Sequence, residues 1–139
     1  MKTRQDIAVF LLRMALAAGF LSAVASRLNF WGAQSSGWRN FVNYTAEVNS
    51  FFPSSWSPTL ALVSTATELI IGILILTGYQ IRKAALSASV LTFVFAIAMS
   101  ISFGSKEALD YSVFVFSAGA FLLSSFPCYQ WSLDQLLHQ

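Results

Sequence analysis

Leu69-Ile70-Ile71-Gly72-Ile73-Leu74-Ile75-Leu76 decides the fold class of this chain. A membrane-spanning strand alternates lipid-facing and lumen-facing residues with period two, whereas this run is apolar on every side, which excludes a closed barrel and leaves a helix. Extended outward, it becomes Thr59–Gly78, and about 20 helical residues are enough to cross a hydrocarbon core of about 30 Å. Three other segments meet the same test: Ile7–Leu28, Ala84–Phe103 and, marginally in length, Tyr111–Phe126. The expected architecture is an all-α membrane protein, a four-transmembrane-helix bundle built as a single domain over residues 1–139. Composition agrees, with 56% hydrophobic and 10% charged residues, far from the balance of a soluble domain.

The first segment has the outline of a secretory signal, with Lys2 and Arg4 ahead of it and Ala23-Val24-Ala25 resembling a cleavage site, but Arg13 splits the apolar run and the segment is expected to be retained. An even number of spans places Lys2, Arg4, Arg82 and Lys83 on one side and Arg27, Arg39 and Lys106 on the other. The tight Arg82-Lys83 pair in a short connection makes the first side cytoplasmic, so both termini are expected in the cytoplasm of a cell whose inner membrane holds the protein. A net charge of +2 gives no basic stripe for nucleic acid and no polybasic lipid anchor. Cys128 and His138 are the only residues of their kinds, so neither a metal or haem site nor a thiol relay is expected from one copy of this chain.

The long connection Asn29–Ser57 carries Trp31, Trp38 and Trp56 and is expected on the outer side. Within it Trp38, Phe41, Val42, Thr45, Val48 and Phe52 fall at helical spacing, opposite Arg39, Asn40, Asn43, Glu47 and Ser50. That pattern predicts a short interfacial helix that Pro53 stops, followed by Ser57 as N-cap of the second span with Pro58 at its first position. Small residues at Ala15, Ala18, Gly19, Ser22 and Ser26, and at Ala84, Ala85, Ala88 and Ser89, predict close helix contacts.

Two ionisable residues fall inside predicted spans. Glu68 lies near mid-depth of the second, where a carboxyl is costly unless paired, protonated or wetted, and Arg13 interrupts the first. The expectation is that they pair, either as an ion pair fixing helix register or as a site in which Glu68 accepts a proton or binds a ligand carbonyl or hydroxyl. Asp110 and Tyr111 are expected to cap and anchor the fourth helix, and alternatively to join Arg27, Trp31, Trp38 and Tyr44 as the rim of a ligand pocket. Met14 and Met99 read as packing. No serine has a histidine to activate it and no glycine-rich phosphate loop occurs, so autonomous hydrolysis and phosphoryl transfer are not expected.

The order of these features is that of a known family. Leu12-Arg13, Arg27 with Trp31-Gly32, Gly37-Trp38 with Phe41 and Tyr44, Thr67-Glu68-Leu69 with Gly72, Gly78 with Arg82 and Ala84-Ala85, and Asp110-Tyr111-Ser112-Val113-Phe114 together resemble the DoxX family over nearly the whole chain. The resemblance implies a four-helix membrane bundle. It is related to the membrane part of a thiosulfate:quinone oxidoreductase and to a methylamine-utilisation protein, and other relatives look like membrane chaperones or assembly factors. For the redox branch it implies a quinone near Arg13 and Glu68 and electrons from a partner or external donor. The leading expectation is therefore a small quinone-associated subunit of a membrane redox system, an oxidoreductase component acting with a partner, in which Glu68 handles the proton and Arg13 steadies the carboxylate. The alternative is a non-enzymatic membrane factor that assembles or stabilises a partner complex. A small-solute transporter is least favoured, since no pair of broken helices is evident. Expected partners are membrane lipid, a redox or assembly protein and a second copy of the chain; nucleic acid is not among them.

Overall fold

The computed structural model describes residues 2–138. The helices are α1 (Lys2–Arg27), α2 (Trp38–Val48), α3 (Ser57–Thr77), α4 (Ile81–Phe103), α5 (Ser105–Asp110), α6 (Val113–Ser124) and α7 (Leu133–Leu137). Single turns of 3-10 helix lie at Gly32–Gln34 and Ser54–Trp56. Helices α1, α3 and α4 are each long and apolar enough to cross a membrane.

The fourth expected span differs. Its helix, α6, has 12 residues and rises only about 18 Å, short of a hydrocarbon core. The chain breaks at Ser112, whose φ of 57° is left-handed, so the polar stretch before it forms the separate α5 rather than a longer apolar helix. Asp110 accordingly does not cap the fourth helix. It ends α5 and pairs with Lys106 one turn back, in the exposed i,i+4 arrangement.

The helices close into a bundle. α1 packs along α3 and α4 along α6, with α3–α4 and α1–α6 contacts completing the ring. Leu16, Ala17 and Phe20 of α1, Ile71 and Ile75 of α3, Ala84, Ala85 and Ala88 of α4, and Ala120 and Leu123 of α6 form its core. The outer surface is equally apolar: Leu62, Ile70, Val90, Val94 and Ile101 are each more than half exposed. So much apolar surface suits lipid rather than water. The small residues of α4 are buried as expected, and Ser117 Oγ of α6 donates to Ser89 O at 2.8 Å. Those of α1 are not all used within the bundle. Ala15 and Ala18 lie on its outer surface, whereas Gly19 faces the Phe116 ring of α6 and Ser22 accepts from Trp31 Nε1.

Helix α2 lies against α3 and α4 at one end, burying Thr45 and Val48, and Val48 joins Ala98, Met99 and Ala108 in a second apolar cluster. It ends earlier than expected. Both the backbone N–H and the side-chain amide of Asn49 donate to Thr45 O, so Asn49 terminates the helix and Phe52 and Pro53 lie beyond it. Likewise Trp56, not Ser57, is the N-cap of α3, with Pro58 in its first turn.

At the opposite end, residues 125–138 fold back as a strap that crosses the middle of α1 at Phe10 and Arg13, the end of α3 and the start of α4. Gly78 closes α3 in the left-handed conformation with φ 81°, and its carbonyl accepts from Asp134 N at 2.8 Å. A Cβ at Gly78 would sit 2.4 Å from Ser132 Cβ, so only glycine allows the strap this close. The Asp134 carboxylate accepts from Gln80 N at 2.7 Å and Ile81 N at 2.9 Å, capping α4 from 53 residues away.

Candidate ligand-binding site

The expected Arg13–Glu68 pair does not form. Arg13 is 3% exposed, and its guanidinium donates to Gln130 O at 3.2 Å and Trp131 O at 2.8 Å, tying α1 to the strap. Phe10 packs edge-on against Trp131, with ring centroids 5.6 Å apart, beside the same clasp. Glu68 pairs instead with Arg27, which also donates to Thr65 Oγ1 at 3.0 Å.

The axial register of α1 on α3 explains the exchange of partners. Gly72 faces Phe20 and Leu21, so in this antiparallel pair the step from Gly72 back to Glu68 runs toward Arg27, while Arg13 falls level with the end of α3. Side-chain direction adds to it. Helical side chains lean toward the N-terminus of their own helix. Arg27 in the last turn of α1 therefore reaches back into the bundle, Glu68 leans along α3 to meet it, and Arg13 leans away toward the strap.

Around this pair the helices enclose a cavity of about 160 Å³. Arg27 comes from α1, Phe41 and Thr45 from α2 with Asn49 just after it, Leu60, Ser64 and Glu68 from α3, and Leu91, Thr92, Val94, Phe95 and Ala98 from α4. The Arg27 guanidinium stacks on the Phe41 ring, 3.7 Å from its centroid. The hydroxyls of Thr45, Ser64 and Thr92 donate to carbonyls of their own helices, to Phe41 O, Ala61 O and Ala88 O. Toward the cavity they offer oxygen lone pairs, not protons. The groups there that can exchange a proton or donate a strong hydrogen bond are Glu68 and Arg27, whose side chains are only 17% and 11% exposed. Val94, 60% exposed, and half-buried Leu60 place one wall of the cavity at the lipid-facing α3–α4 surface.

Of the residues proposed from sequence, the cavity brings together Glu68 and Arg27. Arg13 belongs to the strap. Trp31 lies on the outer surface of α1, its Nε1 donating to Ser22 Oγ at 3.1 Å. Trp38 rests beside Phe41, and Tyr44 turns to Phe95 and Phe103. Asp110 and Tyr111 are exposed at the α5–α6 turn, so the aromatic rim expected from sequence is not assembled. Sequence reasoning missed Thr65, although it sits one turn before Glu68 on the same face, and it assigned Phe41 to a helix face without linking it to Arg27.

The family model for DoxX matches residues 8–101. No curated protein and no solved structure matches the chain. Every residue lining the cavity falls inside the matched stretch, whereas the strap that holds Arg13 lies outside it. With that match over most of its length, three helices suited to spanning and an apolar outer surface, the chain belongs to the DoxX family of membrane proteins.

Proposed function

We propose that the protein is a quinone-associated subunit of a membrane redox system, with the ring held in the Arg27–Glu68 cavity. The observation that carries this reading is a lone carboxylate–guanidinium pair facing an apolar cavity with one wall at the lipid surface. At about 160 Å³ the cavity is smaller than the roughly 300 Å³ lower bound of drug-sized pockets. It suits a single ring whose tail leaves past Leu60 and Val94 into lipid. When bound, a quinone would supply two-electron, two-proton chemistry, with the electrons coming from a partner's redox centre and the protons from water through Glu68. Glu68, a carboxylate in its pair with Arg27, would take up each proton before handing it to a ring oxygen, and Arg27 would hold the carboxylate between transfers; this is the steadying role that sequence alone gave to Arg13. The charges of Arg82 and Lys83, in the first turn of α4, support a cytoplasmic strap end and cytoplasmic termini. The short α6 then completes a fourth span together with the polar turns at its ends.

Protein purified in mild detergent should carry close to one equivalent of quinone by mass spectrometry of extracted lipid, and Glu68→Gln should lose it while keeping its helix content. An unaltered protein that retains none, when a known quinone-binding membrane protein prepared alongside retains its own, would sink this reading. A second reading, assembly or stabilisation of a partner, is favoured by Ala15 and Ala18, exposed small residues of α1 on which another helix can pack closely.

A further inference from the structure

The strap end of the bundle holds a second, larger cavity of about 770 Å³. Arg82, Lys83, Tyr129, Gln135 and His138 line it. A separate groove of about 270 Å³ runs along the outer surface between α3 and α4, walled by Ile70, Ile71, Leu74 and Ala84. Gln80 and Lys83 line both, so a polar basin and an apolar channel meet at one point. The basin is cationic on balance. Asp134 also lines it, but its carboxylate accepts the backbone N–H groups of Gln80 and Ile81, which directs its charge onto the start of α4. Arg82 is held at the rim by donating to Phe126 O at 3.0 Å, and Lys83 is exposed beside it.

A free inorganic anion would use the basin alone, and a neutral hydrocarbon the groove alone. Their junction fits a molecule with both parts. From Leu74 to Thr67 the groove runs about 10 Å, and Ile70 and Ser87 leave it open to surrounding lipid along its side. We propose that this junction is a binding site for one anionic phospholipid, its phosphodiester against Arg82 and Lys83 and one acyl chain in the α3–α4 groove. The site is separate from the Arg27–Glu68 cavity and does not depend on the quinone reading.

Native mass spectrometry of the full chain in mild detergent, titrated with phosphatidylglycerol or phosphatidylcholine, tests it. Two surface cations predict a preference for phosphatidylglycerol of roughly thirtyfold. Lys83→Gln, a change at an exposed side chain, should reduce that preference about fivefold, and Arg82→Gln with Lys83→Gln should remove it. Ser87→Phe, which fills the groove and leaves the charges in place, should weaken phosphatidylglycerol binding as well. Inorganic phosphate at millimolar concentration should not displace the lipid. Equal retention of the two lipids by the unaltered protein overturns the proposal. So does unchanged binding in both Lys83→Gln and Ser87→Phe, and displacement by inorganic phosphate would make the basin a site for a free anion instead.

Discussion

Removing the Glu68 carboxylate should destabilise the protein through Arg27, not through Arg13. The Arg27 and Glu68 side chains are 11% and 17% exposed, so their pair is far from the solvent-screened surface case. Breaking a buried pair by removing one partner costs about 3–5 kcal/mol, because the other charge is left uncompensated. Here the remaining Thr65 hydrogen bond and the Phe41 ring keep part of the guanidinium's environment, which places Glu68→Leu near about 3 kcal/mol, at the lower end of that range. Arg27→Met should cost about the same, and the double variant about 4 kcal/mol, giving a coupling of about 2 kcal/mol. Arg13→Met should be destabilising as well, since it strips two carbonyl hydrogen bonds from the strap, but it should add to Glu68→Leu within about 0.5 kcal/mol. Reversible unfolding in mixed micelles, followed by circular dichroism, measures all three single and both double variants. Coupling of Glu68 with Arg13, with additivity between Glu68 and Arg27, would refute the register described for α1 on α3.

Two further outcomes concern the strap. Gly78→Ala should destabilise by more than about 3 kcal/mol and make residues beyond Ser125 susceptible to protease, since the new methyl would meet Ser132 Cβ at 2.4 Å from a backbone with φ 81°; unchanged protection would show that the strap does not lie there. Asp134→Ala removes both cap hydrogen bonds at the start of α4 and should cost about 1–2 kcal/mol, with faster amide exchange at Gln80 and Ile81 in particular. Exchange there no faster than in the unaltered protein would mean that the carboxylate is not the cap.

The long helices were legible because the signal is local: Leu69 to Leu76 is apolar on every side, and Gly78 and the Arg82-Lys83 pair bracket the connection that follows. Glu68 could be picked out as a site residue for the same reason, since a carboxyl in such a run is conspicuous by itself. Its partner could not. Hydropathy locates a helix in the chain but says nothing of how far it slides along its neighbour, and a slide of a few turns exchanges Arg13 for Arg27. The packing of Gly72 against Phe20 and Leu21 sets that slide, and it is a property of two helices together. The break at Ser112 was hidden differently. A single left-handed serine leaves no mark in an apolar average, although the polar residues from Ser105 to Asp110 hinted that a span could not begin there. The strap went unnoticed because nothing local in residues 125–138 points to Gly78 or the start of α4, which Ser132 and Asp134 meet only once the chain is folded.

The clasp between Arg13 and the carbonyls of Gln130 and Trp131 has a consequence for how the protein is made. Arg13 enters the membrane with the first helix, whereas its acceptors are synthesised after α6. Throughout translation of the bundle the guanidinium must draw on water or lipid phosphate, near which its long side chain can snorkel. Final locking of the clasp therefore waits until Gln130 and Trp131 have been made, and a chain stopped before Gln130 carries Arg13 in its first span without these two acceptors.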